Sequence, residues 1–394
     1  MTAKPPTGAA FHDRAYVVDL HAHPSLKTSL FGLRWDRRHR PGSAFNPLSL
    51  RCDLPKLVAG GVDVLCSAVY VPERGVLDDC LPLRVGTLLF PPIRRLIDGD
   101  PFRGAMHVLD DFERIVADTP PVEGVRAAVA RSPSELTAHR DAGHLAIIHT
   151  LEGAHHLAGD AGNVSRFAER GVAMLTLAHF YPNGVAPPVD GVPPDHKGLG
   201  CFRSPKDLAA GLTPLGHDVI EEMLRLGMLV DLTHCTLPAR RQALDRIGTR
   251  RPVVMSHVGA GTLHATPMNP GRDEVRRVAD TGGVIGVIAM DYWLGGNDGN
   301  DGRTGGREDV RGVALMVKTM RALVDQGGIG VVALGTDFDG FTDPPDDLAD
   351  PEHLPRLTDA LLAGGLTEDD VERILGGNAL RVLTEGWMGH ADAA

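Results

Sequence analysis

What this chain has little of narrows its function before any motif is read. No apolar run approaches the ~20 residues that span a bilayer. The first residues, MTAKPPTGAAFHDRAY, hold no apolar core of a secretion signal, and the last, GWMGHADAA, form no hydrophobic anchor. A soluble cytoplasmic protein with no membrane partner is therefore expected. Cysteine is scarce: the five residues Cys52, Cys66, Cys80, Cys201 and Cys235 show no CxxC pair and no disulfide-framework spacing, which fits a reducing compartment. Positive charge is short too. Forty basic against 51 acidic residues leave a net charge of −11, which argues against nucleic acid as a partner. The basic stretch at 34–40 (RWDRRHR) is a local exception, either a solvated loop or a loop facing substrate.

The chain does have short apolar runs, and they end in a recurring way. Residues 228–232 (MLVDL) run into Thr233-His234, and 252–255 (PVVM) into Ser256-His257. Thr236 can open a helix between them, with Pro238 in its first turn. Strand, helix, strand at this spacing is a βαβ unit, whose parallel strands put both imidazoles on one rim. The pattern repeats. Residues 16–20 (YVVDL) lead to His21-Ala22-His23, 145–151 (LAIIHTL) to Glu152, 172–178 (VAMLTLA) to His179, and 331–336 (VVALGT) to Asp337. With further strands at 62–69 and 283–290, eight strand–helix alternations without internal repeats describe a (β/α)8 TIM-type barrel. Its chemistry belongs at the carboxyl ends of the strands.

One domain over residues 1–394 is expected, with insertions near 27–50, 73–130 and 182–202 and a loop at 295–307. Helices are expected at 55–60, 105–117, 134–140, 213–226, 275–280, 310–324, 367–375 and 378–385. The sequence leaves oligomeric state open, a homodimer included.

Imidazole and carboxylate together suit zinc or a similar divalent ion. Five candidate ligands (His21, His23, Glu152, His234 and His257) are too many for one catalytic zinc that keeps an open position. Two ions, roughly 3.5–4 Å apart and bridged by Glu152, would use them all. Asp337 is then placed to move a proton, and His179 to bind a carbonyl oxygen as it becomes an oxyanion. Metal-dependent hydrolysis of a small amide is the reaction class expected.

These segments resemble the membrane (renal) dipeptidase family of the amidohydrolase superfamily. The most specific is 211–234, GLTPLGHDVIEEMLRLGMLVDLTH, and LEGAHHL, LTLAHF, PVVMSH, GGVIGV and GTDFDG follow the family's order. The resemblance implies a dipeptide substrate, two zinc ions held by His21, Glu152, His234 and His257, Asp337 as acid and base, and His179 at the oxyanion. Two positions depart from the family pattern. His23 stands where the family has aspartate, and Pro267-Met268-Asn269 where it has Pro-Arg-Asn, the arginine that grips the substrate carboxylate. Met268, Asn269 and Arg272 are accordingly the expected substrate contacts beside His179. Either Arg272 or the 34–40 loop replaces the missing guanidinium, or the substrate has no carboxylate there.

Overall fold

The computed structural model describes residues 8–389 except 44–45, 90–93, 95, 98, 195, 198–200 and 297–309. Nine parallel strands follow in chain order: β1 (Val17–Ala22), β2 (Val62–Val69), β3 (Ala127–Val129), β4 (Leu145–Glu152), β5 (Met174–Thr176), β6 (Leu229–Asp231), β7 (Val253–Val258), β8 (Val284–Val287) and β9 (Val332–Leu334). The β2–β4 pairing closes eight of them into a barrel, with β1 between β2 and β9. The fold is the (β/α)8 barrel expected. The short ninth strand, β3, was not expected. It pairs with the start of β4 at Leu145–Ile147, below the Thr150–Glu152 segment that β5 takes.

The strands are buried on both faces, so their near-continuous apolar runs divide between two cores. Val18, Leu20, Val64, Cys66, Ala146, Ile148 and Val254 form one cluster. Their alternates Val17, Leu65, Ile147, Leu151 and Val253 belong to the other, with the surrounding helices. Period-two alternation along each strand produces this division. Each buried aliphatic side chain contributes roughly 1.5–3 kcal/mol.

Local signals set the helix ends. The Thr213 hydroxyl accepts from the Gly216 amide, and Gly227 ends Pro214–Leu226 at φ 66. The Thr236 hydroxyl accepts from the Ala239 amide to open Leu237–Ile247. Residues 27–50 differ from the long connection expected, because the helix Pro24–Phe31 follows β1 directly. The 73–130 insertion carries the helices Arg74–Asp79, Leu81–Leu89 and Pro101–Asp118. Residues 297–307 of the expected loop lie outside the described residues.

Cysteine spacing misled in one respect: Cys80 and Cys201 form a disulfide across 121 residues, while Cys52, Cys66 and Cys235 are free and buried. Two arginines of the basic stretch form ion pairs, Arg34 with the nearby Asp36 and Arg38 with the distant Glu352. Among the described residues no helix is long and apolar enough to cross a membrane.

Candidate metal centre and active site

Every strand-end residue singled out above converges on Glu152, the last residue of β4. Its Oε1 lies 3.2 Å from His21 Nε2 and 3.4 Å from Nε2 of both His234 and His257. Its Oε2 lies 3.4 Å from His23 Nε2 and 3.2 Å from His179 Nε2. His21 and His23 bring their Nε2 atoms within 3.1 Å, as do His234 and His257. Asp337 Oδ1 approaches His23 Nε2 at 3.3 Å and His21 Nε2 at 3.8 Å. All seven side chains are buried.

The backbone aims these groups. The β1–β2 ladder slips between Asp19 and Ala22, and His23 leaves the strand to precede Pro24–Phe31. The two imidazoles thus converge from a strand and a helix start, not from two like-facing positions of one strand. His234 (φ 66) and Asp337 (φ 58) sit in the left-handed region, uncommon for non-glycine residues. Such strain clusters at functional sites, where the surroundings over-determine it. Beside Asp337, a Cβ on Gly340 would fall 1.9 Å from its Oδ1, so no side chain fits there.

A buried framework holds the rim. Asp231 accepts from the hydroxyls of Thr176 and Ser256, each at 2.6 Å, from Thr233 Oγ1 at 2.8 Å, and from the amides of Thr233 and Ser256. Asp19 accepts from Thr336 Oγ1 at 2.5 Å and from the His21 amide at 3.2 Å. These supports were missed in the sequence. Their signal was present as an aspartate interrupting each apolar run, in VVDLH and LVDLTH. Glu73 and Tyr70 were missed as well, and nothing in their local pattern marks them.

Electrostatics favour a metal centre. Burial holds the imidazoles of His23, His234 and His257 below their ordinary range, with Glu152 opposing, and so in the neutral form that binds metal. Burial alone would raise the Glu152 carboxyl, but the imidazoles of His179, His21 and His23 hold it well below its usual range. Burial raises Asp337 well above the carboxylate range; His21 opposes this and Glu152 adds to it. On His179 burial opposes charge, yet Glu152 and Glu73 outweigh it and raise the imidazole.

The donor set fits divalent ions. His21, His23 and Glu152 make one group of mutually close ligand atoms, and Glu152, His234 and His257 a second. His21, His257 and Asp337 make a third. Nδ1 of His21 and His234 has no hydrogen-bond partner among the described residues.

The rim opens into a cavity with an empty volume of about 410 Å3, walled by Phe180, Phe202, Met290, Trp293 and Phe341. Three residues expected as substrate contacts are placed elsewhere. Met268 is buried in the outer core, its position close behind Gly191. Asn269 spends its amide on backbone, accepting from the Gly259 amide at 2.7 Å and donating to the carbonyls of Trp293 and His264. Arg272 is exposed in the first turn of Arg272–Asp280. In each case a local sequence match carried no information about which way the side chain turns.

A parallel barrel with histidines and a shared carboxylate on its carboxyl rim defines a metal-dependent hydrolase architecture. The chain belongs to the membrane dipeptidase family, peptidase family M19, whose profile matches residues 9–388, and it is a hydrolase of peptide bonds by that membership. An uncharacterized protein from the pqqA 5' region of Klebsiella pneumoniae is 28% identical over 74% of this chain and 99% of its own length. An uncharacterized dipeptidase of Schizosaccharomyces pombe is 32% identical over 63% of this chain but only 55% of its own length. Among solved structures, a metallo peptidase from Rhodobacter sphaeroides, liganded with a phosphinate mimic of L-Ala-D-Ala, superposes with a TM-score of 0.73 at 21% identity. That match covers 95% of this chain and 99% of the other. The probable dipeptidase PvdM from Pseudomonas aeruginosa gives 0.72 at 20% identity, covering 96% and 97%.

Proposed function

We propose that this chain is a two-zinc hydrolase that cleaves dipeptides or a closely related small amide. The observation that carries the reading is Glu152, the member shared by two groups of mutually close ligand atoms, His21–His23–Glu152 and Glu152–His234–His257. His21, His23 and Glu152 would hold one ion, and Glu152, His234 and His257 the other. Bound there, the ions would supply Lewis acidity, polarising a carbonyl oxygen and acidifying a water molecule. The remaining work falls to the chain itself. Asp337, whose Oδ1 accepts no hydrogen bond among the described residues, takes a proton from the attacking water and returns it to the leaving amine. His179 presents Nε2 to the carbonyl oxygen as negative charge develops there. The aromatic wall sets both groups beside apolar surface, where charge interactions are stronger than in open water.

One observation favours a substrate whose far end is uncharged. Beyond the ligand cluster the cavity wall is mostly apolar, with His196 and Thr342 its polar side chains and, among the described residues, no arginine or lysine in it. Met268, where the family pattern carries arginine, is buried behind Gly191. Methionine has no donor for a carboxylate. An amide or ester, an N-acyl amino acid, or a lactone would suit such a wall. The Cys80–Cys201 bond also favours an oxidising compartment over the cytoplasm.

The test joins metal analysis to a hydrolysis panel. Protein from zinc-rich medium should carry about two zinc ions per chain and cleave small amides. The panel pairs free dipeptides, including D-configured ones, with their amides, and adds N-acyl amino acids. Fewer than one ion per chain, or inactivity across the panel, would overturn the proposal.

A further inference from the structure

Glu73 touches His179 from the side away from the ligand cluster, and the reaction above gives it no role. Its Oε1 accepts from His179 Nδ1 at 3.1 Å and from the Phe180 amide at 3.0 Å. Its Oε2 accepts from the Tyr70 hydroxyl. The Tyr70 ring stands edge-on to the His179 imidazole, with centroids 4.6 Å apart. Glu73, Tyr70 and His179 are all buried, so this carboxylate depends on its protein donors.

The support behind Glu73 is firm at both ends. Glu73 precedes the helix Arg74–Asp79, and Asp79 at the far end accepts from the Tyr181 hydroxyl and the Ser204 amide, each at 3.0 Å. The next residue, Cys80, is joined to Cys201. One short helix therefore ties the carboxyl end of β5 to the loop that carries Phe202.

An ionised carboxylate only accepts hydrogen bonds. His179 must then turn a protonated Nδ1 toward Glu73, and its Nε2, 3.2 Å from Glu152 Oε2, faces the cavity as the ring's second N–H. Turning the ring over would set a carbon against Glu73 and strip a buried carboxylate of a donor.

We infer that Glu73, clamped by Tyr70, is a positioning residue that holds Nδ1–H of His179 and fixes the plane of the ring, so that the N–H at Nε2 meets the substrate carbonyl. This rests on the role of His179 proposed above. The effect runs through one named nitrogen, which separates it from general support of the rim.

The experiment uses the full-length, zinc-loaded protein with Glu73→Ala, Glu73→Gln, His179→Ala and the double variant His179→Ala/Glu73→Ala. Glu73→Ala should lower kcat by about 10–100-fold, the range found when a supporting partner is removed. Its KM should move by less than about threefold, since the loss belongs to the transition state. Its zinc content should match wild type. Glu73→Gln should keep most of the activity, because the amide oxygen still accepts from Nδ1. In the His179→Ala background, Glu73→Ala should add no further loss. Nitrogen-15 NMR of histidine-labelled protein should show a protonated Nδ1 on wild-type His179. An equal loss from Glu73→Ala with and without His179, or an unprotonated Nδ1 in wild type, would overturn the inference. The NMR measurement decides the clamp even if Glu73→Ala does not fold. It also decides it if wild type cleaves no amide, an outcome that would fail the functional reading alone.

Discussion

Asp231 Oδ2 and Ser256 Oγ lie 2.6 Å apart on neighbouring strands, and that bond determines which nitrogen of His257 faces the ligand cluster. The Ser256 hydroxyl has one proton, and a carboxylate can only take it. Ser256 Oγ therefore accepts from His257 Nδ1 at 2.8 Å, which leaves Nε2 unprotonated toward His234 and Glu152. Ser256→Ala should weaken metal retention about 10–100-fold, as outer-shell losses do. Chelator competition measures it, and unchanged retention would mean that Asp231 and Ser256 serve the strands and not the ligand.

Glu152 and His179 make separable predictions although they are 3.2 Å apart. Glu152→Gln should lower metal content and turnover together, since one oxygen becomes an amide nitrogen that cannot bind an ion. His179→Ala should keep the metal and lose turnover by about 10²–10³-fold, the usual cost of an oxyanion donor. Metal analysis beside single-substrate kinetics separates the two. Normal metal content in Glu152→Gln would remove the bridging role.

Asp337 belongs both to the proton-transfer reading and to one of the close ligand groups. Asp337→Asn should reduce turnover by roughly 10²–10⁴-fold, the range for positioned proton transfer, while most of the metal remains. If the variant loses metal in proportion to activity, Asp337 is chiefly a ligand.

His149 supplies the pH prediction, away from the ligand cluster. It lies on β4 beneath Pro101–Asp118, and burial lowers its imidazole to about 4 from 6.5. Glu113 opposes the shift, while Arg131 and Arg170 add to it. A histidine depressed in the folded state contributes stability that is complete above about pH 6.5 and lost as pH falls toward 4, because the unfolded chain binds the proton first. The span is worth up to about 3 kcal/mol. His149→Leu should therefore lose less melting temperature than wild type between pH 7 and pH 5. Parallel melting curves across that range would refute it.

The disulfide is checked by counting thiols. Alkylation of protein unfolded without reductant should modify three cysteines, Cys52, Cys66 and Cys235, and five after reduction. In the folded state these three should react slowly. Burial pushes the Cys235 thiol up to about 12 and raises the other two, so little thiolate is present. Five reactive thiols before reduction would exclude the bond.

The barrel and its rim chemistry were legible in the chain because parallel strands are buried on both faces. Their apolar runs stand out, and any His, Glu or Asp that stops one must be paired or bound. That rule alone singled out His21, His23, Glu152, His179, His234, His257 and Asp337; the five histidines meet around the Glu152 carboxylate, and Asp337 joins them through His23 and His21. Partner choice was not legible. Glu73 finds His179 across 106 residues from a stretch with no periodicity, and Cys80 finds Cys201 across 121. Met268 and Asn269 follow a ligand in sequence yet turn away from the cavity, one into the core and one onto backbone. Burial pattern is a property of short segments, so the sequence determined which residues reach the rim. Which atoms meet there depends on the register and packing of distant segments, and only the tertiary structure decided it.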